Sequence, residues 1–355
     1  MIQRWTVLLG VFVIMALSNA IVPILPHLAA GAALQSAIFS AYFLGAFVTV
    51  LPAGVLSDRI GQVPLIRAGL LLTIASGLAI VLFPAGLIIL LARAIEGIAA
   101  GLFVASALAW TNTQQDHDRL SGRFMAALNI GLLLGLLGAG WLEALTQHLL
   151  AGVALFTALA FVPGVLSIFL AEAAAEERPV ADLARTVGNY IWLFLSAVVL
   201  VGVTGAITAI YPEYTGRDPA LLSMQIGAMN AATIVAVLVA SRAKLPPVET
   251  IRAAALLMAA AVVGCYFSPV AFPVIGGLAG FVIIAQLAFL AQTGVRQGTL
   301  TGLFNTSTYG GMAMLPMLAG VLADTAGFFS AFAILSIIVG SMALAIGRCR
   351  CRGGV

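Results

Sequence analysis

The chain has 355 residues, 62% of them hydrophobic and only 8% charged, with 16 Lys and Arg against 13 Asp and Glu. A water-soluble domain carries about 25% charged residues to keep its surface hydrated, so with a mean hydropathy of +1.15 most of this chain takes lipid as its solvent. That excludes a soluble enzyme, a nucleic-acid binder with a basic face and a disordered chain. The three cysteines, Cys265, Cys349 and Cys351, make no disulfide framework and read as reduced thiols.

A bilayer core about 30 Å thick takes about 20 helical residues. Apolar runs of that length fall at about 5–25, 35–56, 65–84, 87–109, 123–145, 150–171, 190–212, 220–240, 251–268, 271–293, 299–322 and 327–347, twelve in all. Barrel strands are excluded, since those are about 10 residues long and alternate strictly, whereas Ile88 to Trp110 is longer and does not alternate. Arg4 followed by an apolar stretch and Ser18-Asn19-Ala20 has the look of a cleavable leader. The apolar run continues past Ala20, however, so it reads as the first span. Pro23, Pro52, Pro163, Pro273 and Pro316 lie inside spans; neighbouring membrane helices can satisfy the backbone groups they free.

Basic residues set the orientation. With the N-terminus cytoplasmic, the inner segments hold Arg4, Arg59, Arg67, Arg119, Arg123, Arg178, Arg185, Arg242, Lys244, Arg252, Arg296, Arg348, Arg350 and Arg352, all but two of the 16. Arg217 falls outside and Arg93 lies within a span. A wrong span count would scatter these residues between the two sides. The expectation is a multi-pass protein of the inner (cytoplasmic) membrane with both termini cytoplasmic.

The polar break 172–189 divides the spans six and six, giving an N-terminal bundle over 1–171, a cytoplasmic linker over 172–189 and a C-terminal bundle with a short basic tail over 190–355. The two parts resemble each other. Ile66-Arg67-Ala68 followed by Leu71-Leu72 recurs 185 positions later as Ile251-Arg252-Ala253 followed by Leu256-Leu257. Gly122, Asn129 and Gly135 recur 176 positions later as Gly298, Asn305 and Gly311. Two homologous bundles about an axis along the membrane normal follow, with any site between them near the midplane.

After the second span stands Gly54-Val55-Leu56-Ser57-Asp58-Arg59-Ile60-Gly61-Gln62-Val63. It resembles the Gly-x-Leu-Ala-Asp-Arg-x-Gly-Arg-Lys signature of the major facilitator superfamily, with Gln62 and Val63 in place of the two terminal basic residues. In the fourth span, Arg93-Ala94-Ile95-Glu96-Gly97 is similar to that family's Arg-x-x-Gln-Gly signature, with Glu96 where Gln is usual. In the fifth, Gly131, Gly135, Gly138 and Gly140 resemble the glycine-rich signature of its antiporters, without the usual Pro. The resemblance implies an all-α fold of two pseudo-symmetric six-helix bundles working by alternating access. It further implies that Gly54, Asp58, Arg59 and Gly61 form a gating motif, with Asp58 near Gly298 and Thr299 at the start of the eleventh helix while the cytoplasmic side is shut. A helix N-terminus favours a nearby carboxylate by about 0.3–1 kcal/mol.

Arg93 and Glu96 are the only opposite charges well inside a span, three residues apart and so on one helix face. A charge at the bilayer centre costs about 2.5–3.5 kcal/mol on the gentlest scale, so the pair faces an interior. Two readings stand: a mutually neutralising structural pair, or a proton-exchanging Glu96 tuned by an Arg93 that also meets anionic substrate groups. The helix-five glycines read either as close-packing positions or as part of an exchange mechanism. The uncharged polar residues within spans, Asn19, Asn129, Thr204, Thr208, Tyr211, Asn230, Gln286, Asn305 and Tyr309, are cavity candidates or interhelical ties. In the resembled family helices 1, 4, 7 and 10 line the cavity, which raises Asn19, Thr208, Tyr211 and Gln286.

Asp116-His117-Asp118 reads as a solvated cytoplasmic loop triplet rather than a metal site. There is no Gly-x-x-x-x-Gly-Lys phosphate loop and no Cys/His cluster at metal-ligand spacing, so neither ATP, a cofactor nor a metal is expected. The expected function is secondary active transport of a small solute, proton-coupled efflux by a monomer, with uptake by proton symport as the alternative. A non-transporting polytopic protein, lipid-handling or sensory, is the reading from a different class.

Overall fold

Among the described residues the chain forms twelve long helices and no strand. A computed structural model describes residues 2–172, 187–243, 245–292 and 297–348. The helices are α1 (Ile2–Ala20), α2 (Ala32–Ile60), α3 (Gln62–Leu82), α4 (Gly86–Asn112), α5 (His117–Thr146), α6 (Ala151–Leu166), α7 (Ile191–Thr215), α8 (Pro219–Ala240), α9 (Pro247–Phe267), α10 (Ala271–Ala291), α11 (Gln297–Ala326) and α12 (Phe328–Ala345). Among the described residues eleven spans are long and apolar enough to cross a membrane; α11 adds a further 30 residues. Large apolar side chains such as Leu71, Leu145, Leu256, Ile337 and Leu344 are exposed, the inverse of a water-facing surface.

The helices keep the order and number the hydropathy pattern predicts, but their ends differ. Pro23 and Pro26 remove backbone donors, so the first span closes with a 3-10 turn at Val22–Ile24 and a single helical turn at Leu25–Leu28. The polar stretch after the fourth span is mostly helical. Only residues 113–116 separate α4 from α5, and His117 and Asp118 belong to the first turn of α5 rather than to a loop. A helix end that leaves the hydrocarbon becomes polar without losing its backbone bonds, and hydropathy cannot tell that from a loop. Nor is Asp116 simply solvated: both its carboxylate oxygens accept from the Arg4 guanidinium, at 2.7 and 2.8 Å, tying the start of α1 to the start of α5.

The chain divides into two compact units, residues 1–178 with 215–227, and 179–214 with 228–355. In the first, α5 lies on α1: Gly131 and Gly135 face the backbone carbonyls of Phe12 and Ala16 so closely that no side chain fits there. Gly140 meets Pro219 and Ser223 at the start of α8, and Gly138 is in ordinary contact with Phe156. In the second, Gly311 of α11 takes the same position against the Val198 carbonyl of α7. Gly135 and Gly311 are the pair the internal repeat matches.

The other repeated segment behaves alike. Arg67 of α3 donates to the carbonyls of Ser167 (3.0 Å), Ile168 (3.1 Å) and Leu170 (3.3 Å) just past α6. Arg252 of α9 donates to the Ala343 carbonyl in the last turn of α12 at 2.9 Å. The last carbonyls of a helix have no intrahelical donor, and in each unit an arginine from the helix three earlier supplies one.

Candidate transport site

The interior charges are held on α4, and the seam between α2 and α4 keeps them there. Gly97 faces the Tyr42 carbonyl, Gly45 the Ala94 carbonyl, and Gly101 the Thr49 side chain. With small residues on both helices the backbones come into contact, closing the shared face to lipid. Arg93 and Glu96 lie on it with side chains 1% and 0% exposed. Arg93 Nη1 donates to Glu96 Oε2 at 2.8 Å. The Tyr42 ring lies 4.7 Å from the guanidinium carbon, within cation–π range.

The pair is not saturated. Arg93 Nε and Glu96 Oε1 are buried and have no hydrogen-bond partner among the described residues. A buried polar atom without a partner costs about 1–3 kcal/mol, more when charged. A buried Nε donor and a buried Oε1 acceptor therefore remain open on a pair inside the 27-residue α4.

The second unit has the same seam with different contents. Gly276 of α10 faces the Met229 carbonyl of α8, and Gly280 meets Ala236 and the Thr233 carbonyl. Four residues and one residue before Gly276, where α4 has Arg93 and Glu96 relative to Gly97, stand Phe272 and Ile275, both 0% exposed. Phe272 meets the edge of Tyr211 at 4.5 Å between ring centroids.

Within the first unit, neither Asn19 nor Asn129 hydrogen-bonds Arg93 or Glu96. Asn19 donates to the Leu132 carbonyl of α5 at 2.9 Å, an interhelical tie. Asn129 donates to its own helix at Met125, and Thr208 to Thr204. Thr204 donates to Val201 and reaches Met312 Sδ. Gln286 is fully buried and donates to Ser196 Oγ at 2.9 Å, joining α10 to α7. Asn230, Asn305 and Tyr309 are half-buried.

In the Gly54–Gly61 segment the two glycines differ. Gly61 is at once the last cap of α2 and the first of α3, with φ +93° and ψ 163°, a conformation only glycine adopts freely. A Cβ on it would also collide with the Glu172 carboxylate. Glu172, just past α6, accepts from the backbone N–H groups of Gln62 and Val63, the first donors of α3. Gly54 has nothing within 4 Å of where its Cβ would be, so packing does not require a glycine there. Arg59 is exposed. The side chains of Asp58 and Thr299 lie outside the described residues. Sequence reasoning missed Glu172, Tyr42 and Ser196. Glu172 is the first acid after the sixth apolar run and so marked where a helix end meets water; Tyr42 and Ser196 carried no signal beyond a polar group inside a span.

Helices long and apolar enough to cross a membrane, two units built on repeated contacts and a charged pair sealed in one of them are features expected of a membrane carrier. The model of the Major Facilitator Superfamily matches residues 7–313, and the chain belongs to that superfamily. Among solved structures it is similar to the nucleoside transporter NupG (D323A mutant), with a TM-score of 0.77, 12% identity, and 98% of this chain and 99% of that one covered. It is also similar to the human organic anion transporter MFSD10, with a TM-score of 0.66, 15% identity, and 97% and 99% covered. Those identities speak for the fold alone. No curated protein sequence matches.

Proposed function

We propose that this protein is a proton-coupled exporter of small amphipathic solutes, acting as a monomer in the cytoplasmic membrane with both termini inside. Residues 1–171 and 190–355 would be its two rocking bundles and 172–189 the linker between them. The reading rests on one observation: Arg93 and Glu96 are sealed at 1% and 0% exposure, and each keeps one polar atom without a partner. A structural pair needs neither loose atom. A carboxylate that must take up and release a proton needs a site that can rearrange, and Arg93 Nε would hold an oxygen when Glu96 is neutral. Tyr42 would steady the guanidinium through that change.

The export direction is supported by the resemblance of Gly131, Gly135, Gly138 and Gly140 to the antiporter signature, although Gly131 and Gly135 also serve the α1–α5 contact. Gly54, Asp58, Arg59 and Gly61 are assigned to gating. Gln286, Tyr211, Thr208 and Asn19 would line the path, with Asn129, Asn230, Asn305 and Tyr309 lending polar contacts.

The test is purified protein in liposomes with an imposed pH gradient, loaded with a panel of amphipathic fluorescent solutes and followed in both directions. Solute is expected to move against the proton flow, and Glu96→Gln to abolish the dependence on the gradient. Solute moving with the protons would assign symport, and full gradient dependence in Glu96→Gln would remove Glu96 from coupling.

A further inference from the structure

A cavity of about 460 Å³ opens at the start of α1 and α5, lined by Arg4, Trp5, Leu8, Leu120 and Arg123. We infer that it is a binding site for the head group of an anionic phospholipid on the basic-rich side of the membrane. Its volume falls in the range of small-molecule sites, about 300–1,000 Å³. Its lining combines the groups a lipid head region would use: two cations for the phosphate, an aromatic suited to the interface, and apolar side chains for the glycerol and the first methylenes.

Each residue has a distinct part. Arg4 spends two of its N–H groups on the Asp116 carboxylate. That fixes the plane of its guanidinium and leaves three donors of the five an arginine carries. Arg123, exposed, makes no ion pair among the described residues. With Asp116 offsetting Arg4, Arg123 supplies the cavity's cation without an ion-pair partner among the described residues. Trp5 is 57% exposed, which would be unfavourable in water but fits a ring at the head-group level. Leu120, 1% exposed, and Leu8 give the lining its apolar part. A soluble anion would use the arginines but has no need of an exposed indole or of leucines in the lining. The site is distinct from the Arg93–Glu96 pair and does not depend on direction or coupling; it rests only on the side of the membrane to which the basic residues sort.

The test uses the full-length purified protein and phospholipids with brominated acyl chains, which quench nearby tryptophan. The Trp5 share of fluorescence is the difference between wild type and Trp5→Phe. Brominated phosphatidylglycerol is expected to quench it at about one-fifth the concentration that brominated phosphatidylcholine needs, the equivalent of one basic residue at an anionic surface. Arg123→Gln should bring the two lipids level, and Arg123→Lys should restore the preference. Unchanged thermal unfolding of both variants keeps a folding defect out of the comparison. Equal quenching by the two lipids in the wild type overturns the proposal, as does the absence of a Trp5 component. Displacement of the brominated lipid by soluble glycerol phosphate would also overturn it, since the site would then take a free anion.

Discussion

In α4 the residues four and one before the seam glycine are Arg93 and Glu96; in α10 they are Phe272 and Ile275. The glycines on both sides, Gly97 and Gly276, press on a carbonyl of the facing helix in the same way. Backbone geometry is thus shared between the units while the chemistry it encloses is opposite. Close helix packing is what the repeat preserves. The charge is present in one unit and replaced by Phe272 and Ile275 at the matching positions of the other, where similar close packing forms without it. That contrast separates what the packing requires from what the proposed function would use.

The contrast breaks most sharply at the pair itself. Glu96→Ala leaves a guanidinium in the interior with no counter-charge, and removal of one partner of a buried pair costs about 3–5 kcal/mol. Thermal unfolding in detergent should drop accordingly. Arg93→Leu with Glu96→Leu, which gives α4 the apolar character of α10, should recover most of that loss while transport in liposomes stays absent. If the double variant were as unstable as the single one, the pair would be structural and the comparison with α10 would fail.

Next come the seam glycines. Gly97→Val and Gly276→Val each drive a side chain into a backbone carbonyl, Tyr42 in one unit and Met229 in the other. Overpacking costs about 1–3 kcal/mol, and the two should lose similar stability. Only Gly97→Val should also alter transport out of proportion, because it shifts the helix that carries Arg93 and Glu96.

Gly61 and Gly54 offer a smaller contrast within one motif. Gly61→Ala must adopt φ near +93° and meet Glu172, a strain of about 1–3 kcal/mol. Gly54→Ala has open space and should leave unfolding unchanged. A transport defect in Gly54→Ala without a stability defect would mark it as a position used only in another conformation, as gating requires.

The helices were legible because eleven of those described hold apolar stretches of bilayer length, and the repeat was legible at Arg67/Arg252 and Gly135/Gly311 because both pairs serve a contact to backbone carbonyls. Arg93 and Glu96 stood out because charges are rare in lipid. Their seal did not: Tyr42 and the glycines of α2 and α4 are ordinary residues until the two helices meet. Gln286 and Ser196 were equally invisible as a pair, since 90 residues separate them and each alone is a common polar group in a span. The helical start of α5 was lost because hydropathy reports solvent, not backbone conformation.

The smallest test of the repeat is at its arginines. Arg67→Gln removes donors to three carbonyls past α6, and Arg252→Gln removes the donor to Ala343 in α12. Both sites are partly exposed, so water replaces much of what is lost and each should cost about 1 kcal/mol. Arg67 should cost more than Arg252, because it serves three acceptors rather than one. Hydrogen exchange locates the effect: protection should fall at 166–170 in one variant and at 342–347 in the other, each confined to its own unit. Loss spreading across both units in either variant would mean that the two arginines act on the whole molecule rather than as matched local caps.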